Sequence, residues 1–147
     1  MATILLLSGP NLNLLGEREP DIYGTVSLSD LVAIATDAAT AHGHKLEHFQ
    51  SNHEGELIDA IHGARGRCAA IVINPGAFTH YAYAIADALA TFEGTKIELH
   101  LSNTHTRESW RHRSVVSAYV TGIVAGFGAN GYRLAIEAAV AATATRN

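Results

Sequence analysis

The 147-residue sequence is poor in cysteine and lacks the long apolar stretches that lead a chain into or across a membrane. Its single cysteine, Cys68, cannot form an internal disulfide and opens an apolar run, so we expect a buried structural thiol rather than a nucleophile. The N-terminus has only the short apolar run 4–7 and no basic start, which argues against a secretory signal. Four glycines interrupt the uncharged stretch 114–132, which argues against a membrane span. We therefore expect a cytoplasmic protein with no membrane partner.

Basic residues are scarce as well. Lysine and arginine together number 10 against 14 acidic residues, and charged residues make up 16% of a chain that is 48% apolar. This composition excludes intrinsic disorder and a broad basic surface, so we expect a folded domain without a nucleic-acid partner. The two lysines, Lys45 and Lys96, both begin predicted strands. A Schiff-base lysine is therefore not expected in a site at the carboxyl ends of those strands.

Motifs for common cofactors are missing too. The nine histidines show no zinc-ligand spacing such as His-Glu-x-x-His. The glycine patterns of P-loops and of dinucleotide-binding folds do not occur either. We expect neither a metal nor a nucleotide cofactor.

What the sequence does contain is an alternation of short apolar runs and alanine-rich amphipathic stretches, which is typical of parallel strands joined by helices. The length suits one α/β domain over residues 1–147. Five such strands are most economically arranged as a flavodoxin-like three-layer αβα sandwich with strand order 2-1-3-4-5. Strands are predicted at 3–7, 45–50, 69–73, 96–101 and 120–125, and helices at 27–42, 53–63, 81–92 and 130–142.

This order places strands one, three and four side by side, and polar residues follow each of them. Because ligands of such sheets bind beyond the carboxyl ends of the strands, we expect a site at this edge. The connection after the first strand is about twenty residues long, which favours an active-site lid, with a purely structural loop as the alternative. The polar residues that converge here are Asn11, Asn13, Asn74, His80, His100, Ser102 and Asn103.

The long first loop contains Arg18 and Tyr23. A tyrosine acts as a base near neutral pH only if its pKa falls from about 10 by roughly three units, which costs about 4 kcal/mol. An arginine about 4 Å away supplies about 4 kcal/mol at an effective dielectric of about 20, so one or two guanidinium neighbours suffice. The spacing alone leaves open a tyrosine that only packs over the loop.

The fourth predicted strand has Glu98, His100 and Ser102 on one face, because side chains alternate along a strand. A carboxylate two residues before a histidine can orient the imidazole and favour its protonated form, as a general acid requires, with Ser102 as a substrate donor. An edge strand with a solvated polar face is the alternative. Further on, Arg107 and Arg111 share a face if their segment is helical, which suits an anionic ligand or a polyol.

Together these residues resemble the type II 3-dehydroquinate dehydratases, small flavodoxin-like enzymes of the shikimate and quinate pathways. The likeness covers nearly the whole chain and rests on several ordered motifs at the family's spacing. The motifs are Gly-Pro-Asn-Leu-Asn-Leu-Leu-Gly at 9–16, Arg-Glu-Pro at 18–20, Tyr-Gly at 23–24, Asn-Pro-Gly-Ala at 74–77, Thr-His at 79–80, and the stretch 98–103 with His105, Arg107 and Arg111.

The resemblance implies a hydro-lyase reaction: anti elimination of water from 3-dehydroquinate to 3-dehydroshikimate through an enolate, without metal, cofactor or Schiff base. By the family pattern, Tyr23 as tyrosinate takes the proton beside the ketone, and Arg18 and Arg107 lower its pKa. Asn11 holds a water that stabilises the enolate oxygen.

The family pattern also assigns the general acid and the substrate contacts. His100, oriented by Glu98, protonates the departing hydroxyl. The backbone at Leu101 and Ser102 belongs to the substrate contacts. The full set of substrate-binding residues that it implies is Asn74, His80, Asp87, Leu101, Ser102 and Arg111.

The family further implies trimers that assemble into a dodecamer, in which Asp87 reaches a neighbouring subunit's site. On the third predicted helix Asp87 is seven residues after His80 and shares its face, although a surface charge fits that position equally well. Two alternatives to the dehydratase stay open at this point. One is a flavodoxin-like domain that binds a small carboxylate without turning it over, and the other is a lyase acting on another hydroxy acid.

Overall fold

The computed structural model describes residues 1–17, 19–23 and 25–146, with the side chains of Tyr23 and Arg146 outside this description. The strands are β1 (Thr3–Ser8), β2 (Lys45–Gln50), β3 (Ala70–Asn74), β4 (Thr95–His100) and β5 (Gly122–Ala125). The α-helices are α1 (Pro20–Tyr23), α2 (Leu28–Ala41), α3 (Glu54–Ala64), α4 (Tyr83–Ala90) and α5 (Asn130–Arg146). Short 3-10 helices occupy Leu12–Leu14, Gly76–His80, Thr104–Thr106, Ser109–Arg111 and Ser117–Tyr119.

The five strands form one parallel sheet in the order β2-β1-β3-β4-β5. The predicted fold class and strand order are therefore confirmed. The register pairs Ser8 with Asn74 across β1 and β3, and Ile73 with Glu98 across β3 and β4. The carboxyl ends of β1, β3 and β4 thus lie together, as the strand order requires.

Apolar layers cover both faces of the sheet. Along β1, Ile4 and Leu6 pack on the side of α2 and α5, whereas Leu5 and Leu7 pack on the side of α3 and α4. This alternation follows from the two-residue period of a strand, and a strand buried on both faces needs an unbroken apolar run. Cys68 lies in the second of these layers as a buried thiol, as expected.

A local side-chain cap sets the start of α2. Ser27 caps α2 by accepting from the backbone N–H of Asp30, whose carboxylate accepts from the Ser27 N–H in return. The third predicted helix is wrong at its start, because a 3-10 helix ends at His80 before α4 begins at Tyr83. His80 and Asp87 therefore lie on separate helices and do not share a helix face.

The last helix runs to Arg146, four residues beyond its predicted end. No charged or proline stop signal interrupts the alanine-rich stretch, so the helix continues as far as the chain is described. Among the described residues, no helix is long and apolar enough to cross a membrane.

Candidate active site

The first and third strand ends approach each other so closely that only glycine fits between them. The Gly9 N–H donates to the Asn74 carbonyl at 2.8 Å, and a Cβ on Gly9 would lie 2.3 Å from the Pro75 oxygen. Gly76 has φ +60°, the left-handed region that favours glycine, and faces the Pro10 oxygen. These contacts hold the loops after β1 and β3 side by side over the sheet edge.

Between these loops and the segment after β4 lies a cavity of about 260 Å³. Eight of the twelve predicted site residues line it, and its walls mix amides, imidazoles, guanidinium groups and a hydroxyl with small apolar side chains. The lining residues are Pro10, Asn11, Leu12, Leu15, Asn74, Gly76, Ala77, His80, His100, Leu101, Ser102, Thr104, Arg107, Trp110 and Arg111.

His100 and Glu98 form a buried pair at the inner wall of this cavity. The His100 Nε2–H donates to Glu98 Oε2 at 2.6 Å, and the two side chains are 10% and 1% exposed. β4 is paired on both sides, by β3 and β5, so the alternative of a solvated edge strand is wrong. Because a carboxylate can only accept, the contact fixes the tautomer of His100 and leaves Nδ1 as its other ring nitrogen.

Three hydroxyl groups surround the same carboxylate. Glu98 accepts from Thr79 at 2.7 Å, from Ser114 at 3.0 Å and from Ser117 at 2.5 Å. Burial works to raise the pKa of Glu98, but the hydrogen bonds from His100, Ser117 and Thr79, together with the charge of His100, outweigh it and lower that pKa. Glu98 is therefore an anion behind the imidazole.

Two arginines close the outer wall. Arg107 donates to the Ser102 hydroxyl at 3.3 Å and lies 4.0 Å from the Glu19 carboxylate. The Arg111 guanidinium lies 4.1 Å from the centre of the Trp110 ring and donates to Glu108 at 3.1 Å. Both guanidinium groups are mostly buried, which strengthens their field on a ligand in the cavity.

A comparison with models of protein families shows to which family the chain belongs. The family model described as dehydroquinase class II matches residues 2–140. The chain belongs to the class II dehydroquinase family. The predicted resemblance is thereby confirmed, and the family covers nearly all of the sequence.

Relatives with high identity agree with this membership. The chain is 58% identical over 134 residues to the 3-dehydroquinate dehydratase 2 of Pseudomonas putida, covering 91% of this chain and 90% of the relative. It is 53% identical over 135 residues to a catabolic 3-dehydroquinase of Penicillium rubens, covering 92% and 87%. The crystal structure of the type II dehydroquinase from Butyrivibrio crossotus superposes with a TM-score of 0.91 at 45% identity, covering 95% of this chain and 97% of that one.

His80 has a different hydrogen-bonding role from His100 in this class II dehydroquinase. Its Nδ1–H donates to the Arg113 carbonyl at 2.6 Å, and its ring meets the edge of Trp110 at a centroid distance of 5.2 Å. Burial lowers the pKa of His80, and the charges of His100 and Arg111 act in the same direction, whereas the bond to Arg113 opposes them. A neutral His80 presents Nε2 as an acceptor to a ligand hydroxyl.

The other four predicted site residues comprise two that are described away from the cavity lining and two whose side chains lie outside the description. Glu98 lies behind His100, and Asp87 is exposed on α4. Arg18 lies outside the described residues. Tyr23 ends α1, and its side chain lies outside the description as well.

The segment after β4 differs from the predicted single helical face. Arg107 and Arg111 lie on two separate 3-10 helices and their flanks, at 104–106 and 109–111, and yet both line the cavity. Arg111 is held at the cavity by its cation–π contact with the Trp110 ring and by its ion pair with Glu108. A regular helix is not needed to place it there.

Sequence reasoning missed the hydroxyl groups around Glu98. Ser114 and Ser117 follow the arginine-rich segment with no catalytic motif of their own, and Thr79 is known only as the neighbour of His80. A cluster of hydroxyl residues in a segment that returns to the sheet is the only local signal, and it does not name the carboxylate that they meet. Among the described residues, no group of three potential metal ligands is present.

Proposed function

We propose that this chain catalyses the anti elimination of water from 3-dehydroquinate to give 3-dehydroshikimate, without a cofactor. The observation that carries the proposal is the buried Glu98–His100 pair at the wall of a cavity rimmed by Arg107 and Arg111, in a member of this family. The pair supplies a proton donor, and the arginines supply positive charge for an anionic substrate. A small hydroxy acid with a carboxylate matches both.

The reaction begins at the ketone. Tyr23, as tyrosinate, removes the proton beside the carbonyl, and the electrons of that C–H bond form an enolate. Arg18 and Arg107 stabilise the tyrosinate, and Asn11 holds a water against the enolate oxygen. The positions of Asn11 and Arg107 on the cavity wall support these two roles.

The second step expels the hydroxyl group. The enolate collapses to the conjugated enone while the C–O bond breaks, and His100 gives its proton to the leaving oxygen. The anionic Glu98 stabilises the protonated imidazole before this transfer, because the positive charge then has a partner at 2.6 Å in a site of low dielectric. Water leaves, Tyr23 releases the proton that it took from the substrate to solvent, and His100 takes up a proton from solvent, which restores both groups for the next cycle.

Substrate contacts complete the site. We assign the carboxylate and hydroxyl groups of the substrate to the side chains of Asn74, His80 and Arg111. The backbone of Leu101 and Ser102 and the hydroxyl of Ser102 provide the further contacts. All five line the cavity. Arg111 suits the carboxylate because a guanidinium offers two parallel N–H donors to its two oxygens.

The same proposal includes an assembly of trimers into a dodecamer, with Asp87 completing the site of a neighbouring subunit. The exposure of Asp87 on α4, away from its own cavity lining, supports this role. Sedimentation velocity tests it, since a monomer of 15.6 kDa and a dodecamer sediment very differently. We place the enzyme in the cytoplasm, where a free thiol such as Cys68 stays reduced.

A direct assay tests the activity. With chelator present and 3-dehydroquinate as substrate, near-ultraviolet absorbance of the conjugated enone should grow with wild-type protein and not with Tyr23→Phe. The matched control is Tyr119→Phe, an exposed tyrosine on the 117–119 3-10 helix, which should retain full turnover. Ligand binding without turnover by wild-type protein would leave a carboxylate binder. Turnover of another hydroxy acid alone would leave a different lyase.

A further inference from the structure

A buried tyrosine from the last helix meets an amide of the active site. Tyr132 lies in the first turn of α5 and is fully buried, while Asn74 ends β3, is 3% exposed and lines the cavity. The Asn74 Nδ2 atom lies 3.1 Å from the Tyr132 hydroxyl oxygen, across 58 positions of sequence. Neither the mechanism nor the family motifs quoted above use Tyr132.

The orientation of the Asn74 amide follows from a backbone contact. The Gly76 N–H donates to Asn74 Oδ1 at 3.2 Å. Because a backbone N–H can only donate, the atom it meets is the amide oxygen, and the NH₂ group must face Tyr132. The tyrosine hydroxyl is therefore the acceptor in this pair.

The hydroxyl keeps its proton under assay conditions. Burial raises the pKa of Tyr132 to about 12, and the hydrogen bond from Asn74 acts in the opposite direction without overcoming it. A neutral hydroxyl accepts one amide hydrogen through a lone pair, whereas the other amide hydrogen is the one that can meet a ligand in the cavity.

A core position by itself does not require this hydroxyl group. The Tyr132 ring packs in the apolar layer between the sheet and the helices α2 and α5, where a phenylalanine ring would fill the same volume. Burying a hydroxyl without a hydrogen-bond partner costs free energy, so the partner at Asn74 accounts for its presence.

We propose that Tyr132 is a positioning residue that holds the Asn74 amide so that it donates a hydrogen bond to an oxygen of the bound substrate. The role rests on the proposed function, since it acts through a substrate contact. Asn74 Oδ1 already accepts from the Gly76 N–H and one amide hydrogen donates to Tyr132, which leaves the second amide hydrogen to donate to the ligand. This donor matches an acceptor oxygen, such as that of a carboxylate, at this position.

Tyr132→Phe tests the role because it removes one oxygen and keeps the ring. Loss of a neutral hydrogen bond corresponds to about a three- to tenfold change, so we expect the KM for 3-dehydroquinate to rise by about that factor with a smaller change in kcat. Tyr119→Phe is the control and should keep the wild-type KM. Circular dichroism and thermal melting establish that the variants are folded.

A double-mutant cycle separates positioning from general packing. If Tyr132 acts through Asn74, Tyr132→Phe should raise KM in the wild-type background and have no further effect in Asn74→Ala. Equal rises in both backgrounds, or an unchanged KM for the single variant, would overturn the positioning role while wild-type turnover upholds the proposed function. An inactive wild-type protein would overturn both.

A second variant keeps the test decisive if Tyr132→Phe does not fold. Asn74→Asp retains an oxygen for the Gly76 N–H and another that accepts from the Tyr132 hydroxyl, so the buried groups stay paired. It offers no donor to the ligand, and we expect its KM to rise at least as much as that of Asn74→Ala. A wild-type KM for Asn74→Asp would overturn the donor role of this amide.

Discussion

Replacing Glu98 by glutamine isolates what the buried negative charge contributes to the reaction. In the wild type the His100 Nε2–H donates to the Glu98 carboxylate at 2.6 Å. The glutamine variant keeps the shape of the side chain and can place its amide oxygen at the same position. The amide nitrogen then meets the hydroxyl of Ser117, which can rotate to accept. The fold should therefore survive, and the change should fall on the imidazole.

The magnitude follows from the kind of hydrogen bond lost. Hydrogen bonds to charged groups contribute about 1.5–3 kcal/mol and neutral ones about 0.5–1.5 kcal/mol. Glu98→Gln should therefore reduce the stabilisation of the protonated imidazole by about 1–2 kcal/mol. At about 1.4 kcal/mol per factor of ten, kcat should fall by about 5- to 30-fold.

The assay is the growth of enone absorbance at saturating 3-dehydroquinate across a range of pH. The matched control is Glu47→Gln, which removes a carboxylate paired with Arg67 on the surface at β2 and should leave kcat unchanged. A Glu98→Gln enzyme with a kcat within twofold of wild type would refute the argument that this carboxylate stabilises the general acid.

Two further predictions concern stability, one at Glu98 and one at the close approach of Gly9 to Pro75. The pKa of Glu98 lies below its ordinary value of 4.5 in the folded chain, so ionised Glu98 stabilises the fold above that value and the contribution is lost as the pH falls through the lowered pKa. Urea unfolding should show wild type losing stability below about pH 4.5 more steeply than Glu98→Gln, and parallel curves would contradict the assignment. Gly9→Ala places a Cβ 2.3 Å from the Pro75 oxygen and should lower the free energy of unfolding by about 1–3 kcal/mol. Gly63→Ala, in open space within α3, is its control and should gain up to about 1 kcal/mol, so equal effects of the two would refute the close-approach argument.

Much of the site was predictable because strand order converts sequence position into spatial position. Once five strands are assigned, the residues that follow β1, β3 and β4 must meet at one edge. Asn11, Asn74 and His100 meet there on the cavity wall. The period of two along β4 likewise predicted the contact of Glu98 with His100, since alternate residues share a face.

Irregular segments were harder to predict. Residues 102–113 form two short 3-10 helices instead of one helical face, because ring stacking and ion pairs decide their shape rather than backbone periodicity. The start of α4, at Tyr83, also differs from its prediction, but for a backbone reason. The left-handed Gly76 and the turn after it produce a separate 3-10 helix that ends at His80.

The amino-acid sequence was enough to predict the strands and the loops that carry the chemistry, because hydrophobic periodicity and turn residues are local properties of the chain. The rules for parallel crossovers then favoured the strand order that is found. The partners of the buried polar groups, by contrast, depend on how distant elements pack in the folded chain. Ser117 reaches Glu98 across 19 positions and Tyr132 reaches Asn74 across 58, and no local pattern specifies such contacts. Each buried polar atom requires a partner, and the packing of distant elements selects which one it finds.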